Sequence, residues 1–209
     1  MVKDQLRRRG IRNERVLEAF RTAPREKFVA PEDQERAHDD EPLKIGYGQT
    51  ISQPYIVALT CQALDPAPSD CVLEIGAGSG YETAILASLC RKVVSIERVP
   101  ELCDSARRRL GELGITNAQV LLSDGTLGAP DFAPFDAIAV TAAAPDLPVP
   151  LAGQLRANGR MVIPIGNRVV QELFLYRKPP DGPMSREKLC DCRFVSLIGR
   201  HGFPDPAAS

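Results

Sequence analysis

Cys71-Val72-Leu73-Glu74-Ile75-Gly76-Ala77-Gly78-Ser79-Gly80 is the stretch from which the rest of the chain is read. Apolar residues broken by one carboxylate lead into alternating glycines, and an alanine-rich helical pattern follows. A glycine-rich turn between a strand and a helix lets a ligand approach the backbone closely. The helix N-terminus beyond it offers unpaired N–H groups and a partial positive charge. A nucleotide-like ligand is expected here, a bare tight turn being the alternative. A dinucleotide fingerprint reads G-x-G-x-x-G/A, but these glycines fall at 76, 78 and 80, and Tyr81 stands where a small residue is needed. Glu74 would oppose a pyrophosphate and suit a ligand carrying positive charge.

Arg91-Lys92-Val93-Val94-Ser95-Ile96-Glu97 reads as a second strand ending in an acid. Glu97 is placed to hydrogen-bond both ribose hydroxyls of an adenosine; the alternative is a solvated acid at a strand end. Loop and acid together resemble the nucleoside-methyltransferase version of the fold, with S-adenosylmethionine as cofactor.

With 209 residues, 25% of them charged and 44% hydrophobic, the composition is that of a soluble globular chain of one α/β domain. A net charge of -1 leaves no global field to attract nucleic acid. The six cysteines include no C-x-x-C pair, and Cys190 and Cys192 would point to opposite faces of one strand, a poor chelate or disulfide. Reduced thiols, no metal and a cytoplasmic monomer are expected. Residues 3 to 9 are charged and helical, unlike a signal peptide, and no apolar run approaches the ~18 residues of a membrane span.

Upstream, residues 13–20 predict a helix with Asn13 as N-cap and Val16, Leu17 and Phe20 on one face. Arg7-Arg8-Arg9 reads as a solvated face, because no aromatic residues interleave with it. Residues 45–55 form a loop rich in glycine, hydroxyl and amide groups, followed by an apolar helix from about Pro54 to Leu64. Ser52 or Gln53 lies at its cap, and on local grounds Ser52 is a cap. Downstream come a helix over 100–113 and a strand over 118–122 that ends in Ser123-Asp124-Gly125. Asp-Gly is an ordinary turn signal; beside a ligand crevice, Asp124 could equally accept from an adenine amino group. A strand over 135–140 leads to Thr141. Leu151 to Ala157 reads as a helix closed by Asn158-Gly159, and Met161 to Ile165 as the fifth strand. Val169–Arg177 and Cys190–Leu197 read as a terminal antiparallel hairpin. Strands alternating with helices predict a doubly wound parallel sheet with its ligand at the strands' carboxyl ends.

Gly48-Gln49-Thr50-Ile51-Ser52-Gln53-Pro54-Tyr55-Ile56-Val57-Ala58, followed by the 74–80 loop, resembles the protein-L-isoaspartate (D-aspartate) O-methyltransferase family. The resemblance continues through Phe135-Asp136-Ala137-Ile138, residues 155–160 and residues 192–199. Many methyltransferases share the glycine loop; the Gln-Thr-Ile-Ser-Gln-Pro segment is specific to this family. The resemblance implies an α/β, Rossmann-like S-adenosylmethionine-dependent methyltransferase fold: a seven-stranded, mostly parallel sheet with a terminal antiparallel hairpin. It implies one methyltransferase domain over 1–209, with N-terminal helices and substrate loop in 1–65, a cofactor-binding core in 70–165 and the hairpin in 169–199.

The implied activity is protein repair. A methyl group passes to the α-carboxylate of L-isoaspartyl, and by extension D-aspartyl, residues in damaged proteins and peptides, leaving S-adenosyl-L-homocysteine. The active-site serine falls on Ser52, with Thr50, Ile51, Gln53 and Val195 on the substrate side. Glu74 would balance the cofactor's positive charge, Gly76 and Gly78 admit its amino-acid portion, and Glu97 hold the ribose. Asp124 with Gly125 would face the adenine, and Thr141 completes the set. Two residues depart from the family pattern: Ser196 replaces a proline, and Ser123 a frequent glycine.

The expected chemistry agrees with what the chain lacks. A carboxylate acceptor, with a reference pKa of roughly 4, is ionised at neutral pH and needs no base; none is obvious, the only histidines being His38 and His201. Two other classes compete with this reading. Amino-methylating nucleic-acid enzymes carry Asn/Asp-Pro-Pro-aromatic after the fourth strand, where this chain has Thr141-Ala142-Ala143-Ala144-Pro145. A non-catalytic binding module would not need the intact Ser52, Glu74 and Glu97.

Overall fold

The structure, a computed structural model, describes residues 1–205. Helix α1 (Glu14–Thr22) starts as its sequence asks, with the Asn13 side chain accepting from the N–H groups of Arg15 and Val16. A hairpin of β1 (Leu43–Gly46) and β2 (Gln49–Ile51) then leads into α2 (Pro54–Leu64), whose first residue is a proline that needs no hydrogen bond there.

The main sheet contains β3 (Cys71–Ile75), β4 (Lys92–Glu97), β5 (Ala118–Leu122), β6 (Phe135–Val140), β7 (Leu155–Gly166), β8 (Gln171–Arg177) and β9 (Ser185–Cys192). Their order is β5-β4-β3-β6-β7-β8-β9. Pairs from β5 through β7 are parallel, whereas β8 and β9 are antiparallel. Helices α3 (Tyr81–Leu89), α4 (Pro100–Glu112) and α5 (Val149–Gln154) lie between strands. The chain steps outward from β3 to β5, then returns to β6 on the other side of β3. That reversal opens a crevice at the carboxyl ends of the central strands.

Strand alternation builds the two faces of the core. Val72, Val93, Ala137 and Val162 join α1, α2 and α3 on one face, while Leu73, Val94, Ile138 and Met161 meet Leu151 of α5 on the other. Each fully buried aliphatic side chain contributes about 1.5–3 kcal/mol, so the central strands fix the crevice rigidly. No helix among the described residues is long and apolar enough to cross a membrane. The six cysteines are unpaired, and burial pushes the thiols up, those of Cys90 and Cys192 to about 12.

Two expectations need correcting. Helix α5 ends at Gln154, and Asn158-Gly159 lies inside β7. Asn158 does take a left-handed φ of 63, but there it serves a bulge, where the register with β6 shifts between Phe135 and Ala137. The partner of β8 is Ser185–Cys192, not Cys190–Leu197. Residues 193–197 leave the sheet instead: Val195 O accepts from Ala143 N at 2.8 Å, and Leu197 N donates to Ala143 O at 2.7 Å. Phe194, Val195 and Leu197 are apolar because they pack on the two core faces, not because they form a strand.

Candidate active site

A cavity opens at the carboxyl ends of β3, β4 and β6. Backbone geometry builds one wall. Gly76 has φ +98, and a Cβ there would stand 2.3 Å from Thr141 Oγ1. The Thr141 hydroxyl in turn lies 2.9 Å from the carbonyl of Ile75 and 2.7 Å from that of Gly76. Glu97, only 6% exposed, gathers the loop around itself. Its Oε2 accepts from Gly78 N at 2.8 Å, and its Oε1 from Arg98 N and Val99 N at 2.8 and 2.9 Å. Gly76, Gly78, Glu97, Gly125 and Thr141 all lie on the cavity wall.

Glu74 does not. It is fully buried behind the loop, where its Oε2 accepts from the hydroxyls of Thr83 and Ser95, each at 2.5 Å. Burial pushes this carboxyl up to about 7 even though both hydroxyls favour its charged form. The expectation that Glu74 meets the ligand's charge is therefore corrected: on the central strand its side chain is enclosed between α3 and β4. Asp124 takes the turn role. Its Oδ1 accepts from the N–H and hydroxyl of Thr126 at 2.8 and 2.7 Å, and its Oδ2 from Arg200 N at 2.8 Å. Burial pushes its pKa up, but these donors outweigh burial and leave it below the usual carboxylate value. Asp124 borders an adjoining cleft beside Arg98 and Ile198 rather than the main cavity.

The facing wall contains Thr50, Ile51 and Ser52, and a buried cation holds it. Arg25 is fully buried; its Nε donates to Ala37 O at 2.7 Å and its Nη2 to Ser52 O at 2.8 Å. Its guanidinium lies 4.7 Å from the centre of the Tyr81 ring. Burial lowers the Arg25 pKa. The N-cap of α2 is Gln53, without a side-chain cap bond, so the Ser52 hydroxyl is not spent on the helix. Gln53 is a second correction: its side chain donates to Asp40 O at 2.8 Å and does not line the cavity.

Val195, Ser196 and Leu197 close a third side. The ladder to Ala143 uses Val195 O and Leu197 N, so the N–H of residue 196 has no part in it. A proline there would therefore cost no hydrogen bond of that ladder.

Sequence reading missed Arg25 and Glu82. Glu82 lines the cavity, is 8% exposed and has an Oε1 without a hydrogen-bond partner. The signal for Glu82 was present: α3 is apolar on every side, so an acid within it has no solvent to face. Arg25 carried no local signal.

The arrangement fits an adenosine cofactor with a positively charged sulfur. A Cβ would fill the cradle at Gly76, the strand-end acid is on the wall, and the buried acids outnumber the buried cations around the cavity. Among the described residues, no group of His, Cys, Asp or Glu is arranged to hold a metal. Fold and cavity define an S-adenosylmethionine-dependent methyltransferase.

The family model described as Protein-L-isoaspartate(D-aspartate) O-methyltransferase matches residues 1–202. The protein-L-isoaspartate O-methyltransferase 1 of Syntrophobacter fumaroxidans is 52% identical over 203 residues, covering 97% of this chain and 94% of its own. That of Koribacter versatilis is likewise 52% identical, covering 97% and 91%. Among solved structures, a protein-L-isoaspartate O-methyltransferase superposes with a TM-score of 0.84 at 30% identity, covering 94% of this chain and 65% of its own. A Plasmodium falciparum protein assigned to the same family, in complex with S-adenosyl-L-homocysteine, gives 0.81 at 28% identity, covering 94% and 96%. The chain belongs to the protein-L-isoaspartate (D-aspartate) O-methyltransferase family.

Proposed function

We propose that this cavity methylates the α-carboxylate of L-isoaspartyl residues in damaged proteins and peptides, with Ser52 aiming the acceptor oxygen. One observation carries the assignment of Ser52: its hydroxyl is on the cavity wall and unspent, while its carbonyl is pinned by buried Arg25. When bound, S-adenosylmethionine supplies a methyl group already activated on a sulfonium. Gly76 and Gly78 admit the amino-acid portion. Three of the roughly four acceptor positions of Glu97 are filled by N–H groups, leaving one on Oε2 for a single ribose hydroxyl. Gly125 and the Asp124 cleft border the adenine end, and Thr141 acts through the loop it supports.

Ser52 donates to one carboxylate oxygen and leaves the other free to reach the methyl carbon. The methyl group that the bound cofactor would supply would pass to that free oxygen, with the electron pair of the broken C–S bond left on sulfur. No proton moves, so no base is required; alignment and exclusion of water supply the acceleration. Thr50, Ile51 and Val195 sit where a flexible peptide would pass, and D-aspartyl residues are a second acceptor class. The chain works as a cytoplasmic monomer and as one unit over 1–209, the last four residues lying outside those described, without nucleic acid.

The test uses labelled cofactor and two peptides differing only in an isoaspartyl or normal aspartyl linkage. Base-labile ester, released as methanol, is expected from the isoaspartyl peptide alone; ester on neither overturns the reading. Ser52→Ala should lower turnover roughly 10- to 100-fold and leave S-adenosyl-L-homocysteine affinity within about twofold. Equal losses in both would remove Ser52 from the acceptor role.

A further inference from the structure

Glu82, in the first turn of α3, is a buried acid whose Oε1 has no hydrogen-bond partner among the described residues. The ionisable groups whose charge couples to it are Glu74 from β3, Cys61 from α2 and Tyr81 from its own helix. None of these is a cation. Arg25, the buried cation beside Tyr81, donates to the carbonyls of Ala37 and Ser52 instead. A buried polar atom without a partner destabilises by about 1–3 kcal/mol, and α3 is otherwise apolar enough that a hydrophobic residue would fit. Glu97, on the same cavity, is by contrast held by three N–H groups. The cavity therefore has a satisfied acid at the end of β4 and an open one on α3.

Their placement orders the ligand. With the ribose at Glu97 and the methyl group delivered at Ser52, the methionyl chain continues from the sulfur toward α2 and α3. Val57, one turn before Cys61 on the same face of α2, lies on the cavity wall there, and Glu82 interacts with Cys61. We infer that Glu82 binds the α-ammonium group of the cofactor's methionyl portion, a contact that determines cofactor specificity. This rests on the cofactor reading above.

The contact has a protonic signature. Burial, with Glu74 adding to it, pushes the Glu82 carboxyl well up, so the empty site favours its neutral form. Pairing with an ammonium ionises it. An α-amino group keeps its proton below a pKa of roughly 8, so pairing draws the Glu82 carboxyl toward its ionised form, and affinity rises with pH.

Calorimetry tests this with S-adenosyl-L-homocysteine and an analogue of it lacking the α-amino group. Wild type, Glu82→Gln and Glu82→Leu are compared at about pH 6.5 in buffers of different ionisation enthalpy. Both variants should bind S-adenosyl-L-homocysteine roughly 10- to 100-fold more weakly and the deaminated analogue as wild type does. Proton release should be present in wild type and absent in both variants. Their unliganded melting temperatures should equal or exceed that of wild type, since the group removed is buried with an oxygen that has no hydrogen-bond partner. Wild-type affinity in Glu82→Gln, or parallel losses for both ligands, overturns the inference alone. Failure of wild type to bind S-adenosyl-L-homocysteine overturns the cofactor reading with it. Peptide methylation is not part of the readout.

Discussion

The cavity wall at the strand ends and the wall of residues 49–52 are held by different means. In the first, backbone N–H groups converge on Glu97, and Gly76 fits against Thr141 with no space to spare. In the second, one buried side chain, Arg25, reaches the Ser52 carbonyl from a distant part of the chain. Gly48, at the turn that begins this wall, also has a positive φ of +71, yet nothing lies within 4 Å of its missing Cβ. The cofactor wall is thus set by local geometry and tolerates no added atom. The acceptor wall rests on its β1–β2 hairpin and on one long-range contact, and can be loosened at that contact without disturbing the first.

Breaking the tight wall should have the largest effect. Gly76→Ala adds positive-φ strain and a 2.3 Å overlap with Thr141, and should cost about 4 kcal/mol in denaturant unfolding together with S-adenosyl-L-homocysteine binding. Beneath the same wall, Glu74 titrates at about 7 in the folded state against 4.5 for the free group. The folded state thus holds a proton that the unfolded state has released, so stability falls as pH rises from 4.5 to 7. Glu74→Gln keeps an acceptor for Thr83 and Ser95 and should remove that fall, a difference of up to about 3 kcal/mol in denaturant midpoints compared at low and high pH. On the other wall, Arg25→Lys keeps a charge but loses the fork that spans two carbonyls. It should lower kcat about tenfold while S-adenosyl-L-homocysteine affinity stays within about twofold. If affinity falls in parallel, the walls are not independently held. Gly48→Ala, with strain and no overlap, sharpens the contrast at a cost of about 1 kcal/mol.

The same division explains what the sequence disclosed. The β3–loop–α3 unit, Glu97 at the end of β4, the Asn13 cap and the Pro54 start of α2 all depend on residues near in sequence, so spacing alone locates them. Residues 158–159 carry the same left-handed signal at a helix end or in a bulge, and only the pairing of β7 decides which. Edge strand β9 (Ser185–Cys192) is largely exposed, so it has no buried alternation to reveal it, while the apolar 194–197 segment imitated a strand. Arg25, Gln53 and Glu74 take their roles from partners that folding brings to them, and pattern reading misses such roles.

The segment from Val195 to Leu197 has a consequence for the order of synthesis. Strands β3 to β7 can pair once residue 166 has been made, so the cradle around Gly76 forms early. The side closed by residues 195–197, and the tie from Arg200 to Asp124, arrive only about thirty residues later. A nascent chain therefore holds a cofactor shelf before it holds a reaction chamber, and methyl transfer waits for residues 195–200 to be made.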